Sequence, residues 1–334
     1  MPSERHSIFA CVKLRELQSG QGVAQVMLVH GAALRRRRDG DEFLKLTLGD
    51  RSGKVSALIT EDLAQARERF RPGTFVWVSG TISVHERFGP ELLLESIRPA
   101  DEHEYDRAEL VDGPMRAAPQ MEADLRELIA TIHHPHLRRL LTVVFGEESS
   151  IWSRYRDAPA AKHYHQAYRH GLLEHSLTVA QAVSAISATF PGIDRDVALT
   201  GALLHDIGKL EAYETDGEAI EMTDLGRLYG EIALGYYRVR RAIEDLDDFP
   251  PQTAQAVLHI ILSHHGALEF GSPVVPCTRE ATLVHMVDNL GGRLGSFDRL
   301  EKGLAAGEQW SPYDKGIGGG AFFAGRADRQ REAA

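Results

Sequence analysis

The hydrophobic pattern of this chain changes period once, near Pro119, and that change limits the fold more than any single motif does. Before it, apolar residues alternate with polar ones. In "EFLKLTLGDRSGKVSALI" Leu44, Leu46 and Leu48 oppose Lys45 and Thr47, "DRSG" turns, and Val55, Ala57 and Ile59 resume the alternation, so the stretch predicts a hairpin. Beyond Pro119 the period becomes helical and stays so to about residue 305. Helices are expected over "MEADLRELIATI", "GLLEHSLTVAQAVSAISATF", "RDVALTGALLHDI", "LGRLYGEIALGYYRVRRAIEDL", "PQTAQAVLHIILSHH" and "REATLVHMVDNLGGRL". With 334 residues the chain is long enough for two cores, one in each half.

The first half has five strand-like runs. "VAQVMLV" precedes the hairpin, a short helix "EDLAQARERF" follows it, and "TFVWVSGTISV" and "ELLLESI" are joined through "HERFGPE". Five strands with a helix after the third predict a small Greek-key barrel of the OB type. The expected fold class is therefore multidomain α+β. Residues 1–100 form the OB-type barrel, 101–120 a linker, 121–305 an all-α domain and 306–334 a tail. "DEHEYDRAELVDGPMRAAP" is charged and aperiodic, which is the basis for the linker. Phe75 and Trp77 share one face of the fourth strand and are assigned to the barrel core. "IHHPH", with His133, His134 and His136, reads as a surface turn.

The barrel carries a candidate nucleic-acid surface. Arg35, Arg36, Arg37 and Arg38 fall in the loop expected between strands one and two, and His85, Arg87 and Phe88 in that between strands four and five. These loops flank the ligand face of an OB fold. Clustered arginines neutralise phosphates and an adjacent aromatic stacks on a base, the recipe for single-strand binding; the competing reading is a solvated charge run. The overall net charge of -10 argues against a protein that coats nucleic acid with its whole surface. The N-terminus lacks the layout of a signal peptide and no run is long and apolar enough to span a bilayer, so a soluble, cytoplasmic protein with no membrane partner is expected.

The second half gathers ligand-type residues where apolar ones belong. His175 shares its helix face with Leu172, Val179 and Val183. His205 and Asp206 end the apolar run "ALTGALL", His264 and His265 end "AVLHIILS", and Asp288 lies within "LVHMVDNL". Burying an imidazole or carboxylate there is unfavourable without a partner, and a metal ion is the economical one. Cys11 and Cys277 are too few for a thiolate site, so histidines and carboxylates must hold it.

The ordered series of His, His-Asp, His-His and Asp resembles the HD-domain phosphohydrolases, with His205 and Asp206 as the dyad. "HYHQAYRHGLLEHSLTVA", "LLHDIGKLE", "LSHHGALEFGSPVVP" and "EATLVHMVDNL" extend the likeness to the YhaM-type 3′-to-5′ exoribonucleases, which place an OB fold before an HD domain. The resemblance weakens only in the linker and in "KGIGGGAFFAG". It implies that His175, His205, Asp206 and Asp288 hold one divalent ion, with Asp206 bridging to a second ion on His264 and His265. Dinuclear HD proteins usually place a further histidine in the segment matching "DLGRLYGEIALG", where this chain has Glu231. A carboxylate there suits Mn, Fe or Mg. Mn is the expected ion, with Fe, Co, Mg and Zn as alternatives.

Two such ions polarise a phosphodiester and acidify a water without a protein nucleophile. Lys209 is placed to meet a phosphate oxygen or a metal-bound water, or else serves a helix C-terminus as a favourable charge. His285, one turn before Asp288, is positioned to orient a ligand or touch phosphate. His163 and His165 are candidates for the substrate entrance. Asp206 and Lys209 are thus the candidate catalytic pair.

Three functions follow. The first is a metal-dependent exonuclease trimming single-stranded RNA, with single-stranded DNA as an alternative substrate, to nucleoside monophosphates, with polarity and product implied by the resemblance. The second is a phosphohydrolase for a small cyclic or polyphosphate nucleotide, with the barrel as a regulatory or oligomerising module. The third is a nucleic-acid-binding protein with an inactive HD domain. The acidic balance favours the second, Glu231 keeps the third open, and the arginine run beside a phosphodiesterase-type site favours the first. Assembly into a homo-oligomer is compatible with all three.

Overall fold

The computed structural model of the chain describes residues 12–324 apart from 38–39, 86–88, 115, 163–165, 217–218 and 305–307. Arg38, Arg87, Phe88, His163 and His165 lie outside the described residues. The first half is a closed five-stranded barrel. Its strands are β1 (Gly22–Arg36), β2 (Glu42–Asp50), β3 (Gly53–Ile59), β4 (Phe75–His85) and β5 (Gly89–Pro99), with α1 (Leu63–Arg69) between β3 and β4. The order around the barrel is β1-β2-β3-β5-β4, antiparallel throughout except for the β3–β5 pair, as an OB fold requires.

Alternation fills the interior. Leu44, Leu46, Leu48, Ala57, Val76 and Val78 are fully buried around Met27 and Val29. Asp50 fixes the β2–β3 turn, its Oδ1 accepting from the backbone of Ser52 and Gly53 at 2.6 and 3.0 Å while its Oδ2 accepts from Leu14 N–H at 2.8 Å. The same alternation corrects one sequence assignment. Val76 and Val78 point inward, so Phe75 and Trp77 lie on the outer face: Phe75 stacks on Tyr105 with ring centroids 4.4 Å apart, and Arg98 sits 5.2 Å over Trp77.

Two other expectations change. The arginine run is not wholly a loop, because β1 continues through Arg35 and Arg36, paired in register with Phe43 and Glu42 of β2. Nor does the proposed linker run free. It contains the short helix α2 (Arg107–Leu110), with Leu110 buried, and Arg98 forms a bidentate pair with Glu104.

Helices dominate the rest: α3 (Ala118–Ala130), α4 (Pro135–Phe145), α5 (Trp152–Asp157), α6 (Gly171–Ser187), α7 (Arg195–Leu204), α8 (Lys209–Ala212), α9 (Asp224–Glu244), α10 (Pro251–Ser263) and α11 (Arg279–Gly303). Their core runs through Leu140, Leu172, Val183, Leu199, Ile260 and Val284, all fully buried. "IHHPH" is not a plain surface turn. Pro135 opens α4 at a position where a missing N–H does no harm, and Asp196 accepts from the backbone N–H groups of His133 and His134 at 2.8 Å each. A small hairpin, β6 (Tyr213–Asp216) and β7 (Ala219–Met222), interrupts the helices. At the far end of α11, Lys302 pairs with Asp112 at 2.8 Å and ties the helix back to the segment packed on the barrel. No helix among the described residues is long and apolar enough to cross a membrane.

Candidate metal centre

Two helix ends and two residues from within helices meet at a single point. α6 contributes His175 from its buried face. α7 stops at Leu204, and the turn that follows carries His205 and Asp206; α10 stops at Ser263 and is followed by His264 and His265; α11 supplies Asp288. His175, His205, Asp206 and His264 are almost completely buried, whereas Asp288, His265 and Glu231 border solvent.

The geometry is that of a cation cradle. His175 Nε2 lies 3.2 Å from His205 Nε2, 3.2 Å from Asp206 Oδ2 and 3.1 Å from Asp288 Oδ1. His205 Nε2 lies 3.4 Å from Asp206 Oδ2 and 3.8 Å from Asp288 Oδ1. On its other side Asp206 offers Oδ1 to His264 Nε2 at 3.6 Å, a buried nitrogen with no hydrogen-bond partner. His265 Nε2 stands 3.5 Å from Glu231 Oε1.

The tautomers fit a metal. His205, His264 and His265 each direct Nδ1 at a backbone carbonyl, of Ala202, Ile261 and Phe270, at 2.7 to 2.8 Å, and His175 Nδ1 faces Gln166 Oε1 at 3.0 Å. A ring that donates through Nδ1 presents a lone pair at Nε2, so four rings turn lone pairs toward carboxylates. Two such lone pairs 3.2 Å apart repel unless a proton or a metal ion stands between them. The electrostatics agree: burial pushes His175 down, but Asp206 and Asp288 outweigh it and hold the imidazole up at about 9. Burial also opposes ionisation of Asp206 and Asp288, yet Lys209 with His205 keeps the first, and His175 with His205 the second, below the usual carboxylate range. Even bare, the pocket attracts positive charge, and the HD fold with this His/His/Asp cluster supports binding of a divalent metal.

Lys209 opens α8 rather than ending a helix, and its Nζ lies 2.6 Å from Asp206 Oδ2, so the helix C-terminus reading does not hold. His285 directs Nδ1 at the His264 carbonyl at 2.8 Å and so braces the backbone of that residue. Glu231 reaches the site because α9 is kinked at Gly230, with φ +74°, and because Gly208 lets the two backbones touch: a Cβ on Gly208 would stand 1.9 Å from the Glu231 carbonyl oxygen.

Sequence reasoning missed the residues that hold His175. The Gln166 amide bridges His175 and Glu174, and Tyr168 donates to Glu174 in turn. The single legible signal was a carboxylate, Glu174, on an otherwise apolar helix face. On the barrel, Arg35, Arg36 and Arg37 are exposed, but Arg36 is paired with Glu42 at 2.8 Å and Arg37 sits 5.5 Å over Phe43.

Barrel and cradle together define a class, an OB-fold module joined to an HD-domain hydrolase. Residues 27–100 match the model of the OB-fold nucleic acid binding domain and residues 172–291 that of the HD domain. The chain is 30% identical to the 3′-5′ exoribonuclease YhaM of Bacillus licheniformis over 295 residues, 86% of this chain and 90% of that protein. It is 29% identical to the 3′-5′ exoribonuclease YhaM of Bacillus subtilis over 294 residues, with the same coverage. The chain belongs to the YhaM family.

Proposed function

We propose that the chain is a metal-dependent exonuclease that removes nucleoside monophosphates from the 3′ end of single-stranded RNA, with single-stranded DNA as a second substrate. The observation that carries the hydrolytic reading is the convergence of His175, His205 and His264 Nε2 on the two oxygens of Asp206, a donor set arranged around cations rather than around a nucleophile. The likeness to the YhaM exoribonucleases supports the polarity, and the barrel supports the strand.

In this reading His175, His205, Asp206 and Asp288 hold one divalent ion, Mn foremost. Asp206 would also serve a second, which His264, His265 and Glu231 would hold. Such ions supply Lewis-acid polarisation of the phosphodiester and acidify the attacking water. The chain's own residues do the rest. Lys209 keeps Asp206 ionised and presents an ammonium to a phosphate oxygen. His285 keeps His264 in place. Arg35 and Arg37 screen the backbone of the strand on the barrel.

Incubation of the purified protein with 5′-labelled single-stranded RNA and Mn tests the proposal. A descending ladder that stops on chelation and resumes with added Mn is expected. An uncut oligonucleotide alongside hydrolysis of a small nucleotide excludes exonuclease activity.

A further inference from the structure

The metal cradle opens into two cavities that share His265, Asp288 and Asn289. The larger, about 270 Å³, passes Asp206 and Lys209 and follows α11 to Arg293 and Ser296, ending against Gly316. The smaller, about 200 Å³, is an open cleft with no lysine or arginine among its lining residues, and His264, His285 and Phe270 line it. A phosphodiester held at the cradle carries two substituents, and the cavities provide one limb for each. The larger limb, where Lys209 and Arg293 stand, suits the continuing phosphate backbone. The smaller limb has no lysine or arginine to meet a further phosphate and carries the carboxylate of Asp288, and so suits a single nucleoside.

Phe270 is built for that limb. The residue is 67% exposed, which core packing does not explain. It ends a short 3-10 turn, Leu268–Phe270, and its carbonyl oxygen accepts from His265 Nδ1 at 2.8 Å. Gly271 follows at φ +93°, a conformation that side chains rarely adopt, so the chain turns away directly after the ring. The position of the ring is thereby tied to the imidazole at the cradle. An aromatic face held beside a phosphate site is a base-stacking platform, tolerant of sequence because every base has a π-face.

We infer that Phe270 stacks on the base of the 3′-terminal nucleotide, so that the smaller cavity holds the nucleotide about to be released. The inference rests on the exoribonuclease reading. It makes the enzyme dependent on the presence of a terminal base and indifferent to which base it is.

The test compares binding of adenosine 5′-monophosphate and of ribose 5-phosphate to the Mn-supplied protein by calorimetry. Stacking is worth ~1–3 kcal/mol per base, so the nucleotide is expected to bind roughly 5- to 150-fold more tightly. Phe270→Ala should erase the difference and Phe270→Trp should keep it. Equal affinities in the unaltered protein, or a difference that survives Phe270→Ala, overturn the inference. A second measurement uses RNA ending in an abasic nucleotide. The unaltered protein should trim it as slowly as Phe270→Ala trims ordinary RNA, and combining the two changes should cost no more than either; additive losses count against the platform. If the protein trims no RNA yet keeps the Phe270-dependent preference for the nucleotide, the exoribonuclease reading fails and the platform stands.

Discussion

Asp206 meets two demands with one side chain, since Oδ2 serves His175, His205 and Lys209 while Oδ1 serves His264. Asp206→Asn keeps the volume and removes the charge, so metal content and hydrolysis should both collapse, the rate by roughly three orders of magnitude or more. The same change leaves the largely buried Lys209 without its counter-ion, at a stability cost of about 3–5 kcal/mol. Adding Lys209→Met should recover the melting temperature but not the activity. A double variant that melts no higher than Asp206→Asn would show that the pair is not what holds the charge. On the proposed two-ion reading, Glu231→Ala should reduce bound metal from two ions to one, read by elemental analysis, with His175 and Asp288 still holding the first. Unchanged stoichiometry would remove Glu231 from the ligand set. The positions of the candidate ligands were legible in the sequence because imidazoles and carboxylates on apolar helix faces conflict with burial. Gln166 and Tyr168 were not, because they sit in an aperiodic stretch where polar residues conflict with nothing.

Among the elements, the contact between the turn before α8 and α9 leaves no room for a side chain. A methyl group on Gly208 would meet the Glu231 carbonyl at 1.9 Å and the Gly235 nitrogen at 2.4 Å, both backbone and unable to give way. Gly208→Ala should therefore push α9 off the turn, lower the melting temperature, and cost the second ion while sparing the first; a crystal structure with Glu231 still 3.5 Å from His265 would contradict this. On the barrel, the pairing of Arg36 with Glu42 leaves Arg35 and Arg37 as the freer cations of the described run. Replacing both with alanine should lower the slope of log affinity against log salt by about two for long RNA, since each phosphate contact releases about one counterion. An unchanged slope would make them a solvated edge. Element type was readable wherever the period ran long, as in α6, α10 and the β2–β3 hairpin. It failed at α4, whose opening histidines and proline mimic a turn, and at β6–β7, whose strands are four residues each and too short to show a period.

At the scale of the whole molecule, the barrel meets α11 through β3, and Asp112, the partner of Lys302 on α11, acts on His30, where β1 shifts register against β2. Burial, and then the Lys54 ammonium, lower the His30 imidazole to about 4 against the partial pull of Asp112. An unfolded histidine takes its proton near 6.5. As the pH falls from 6.5 to 4 the unfolded chain binds a proton that the folded one refuses, so stability is lost through that window, by on the order of 3 kcal/mol in all. Above 6.5 the residue adds no pH dependence. His30→Asn should flatten the fall in melting temperature between pH 6.5 and 4; an identical profile would place the acid sensitivity elsewhere.

The straight run of α11 from Asp288 to Lys302 has a consequence for digestion. Those roughly fourteen residues span about 21 Å at the helical rise, from the cradle to the ion pair beside the barrel. A stacked strand advances ~3.4 Å per nucleotide, so about six nucleotides cover the distance. On the proposed exoribonuclease reading, with the strand laid along α11, the helix acts as a ruler. Remnants shorter than about six nucleotides should then lose the end of the barrel beside α11 while still reaching the cradle, and a transient band of limit products of that length is the expected outcome on a digestion time course.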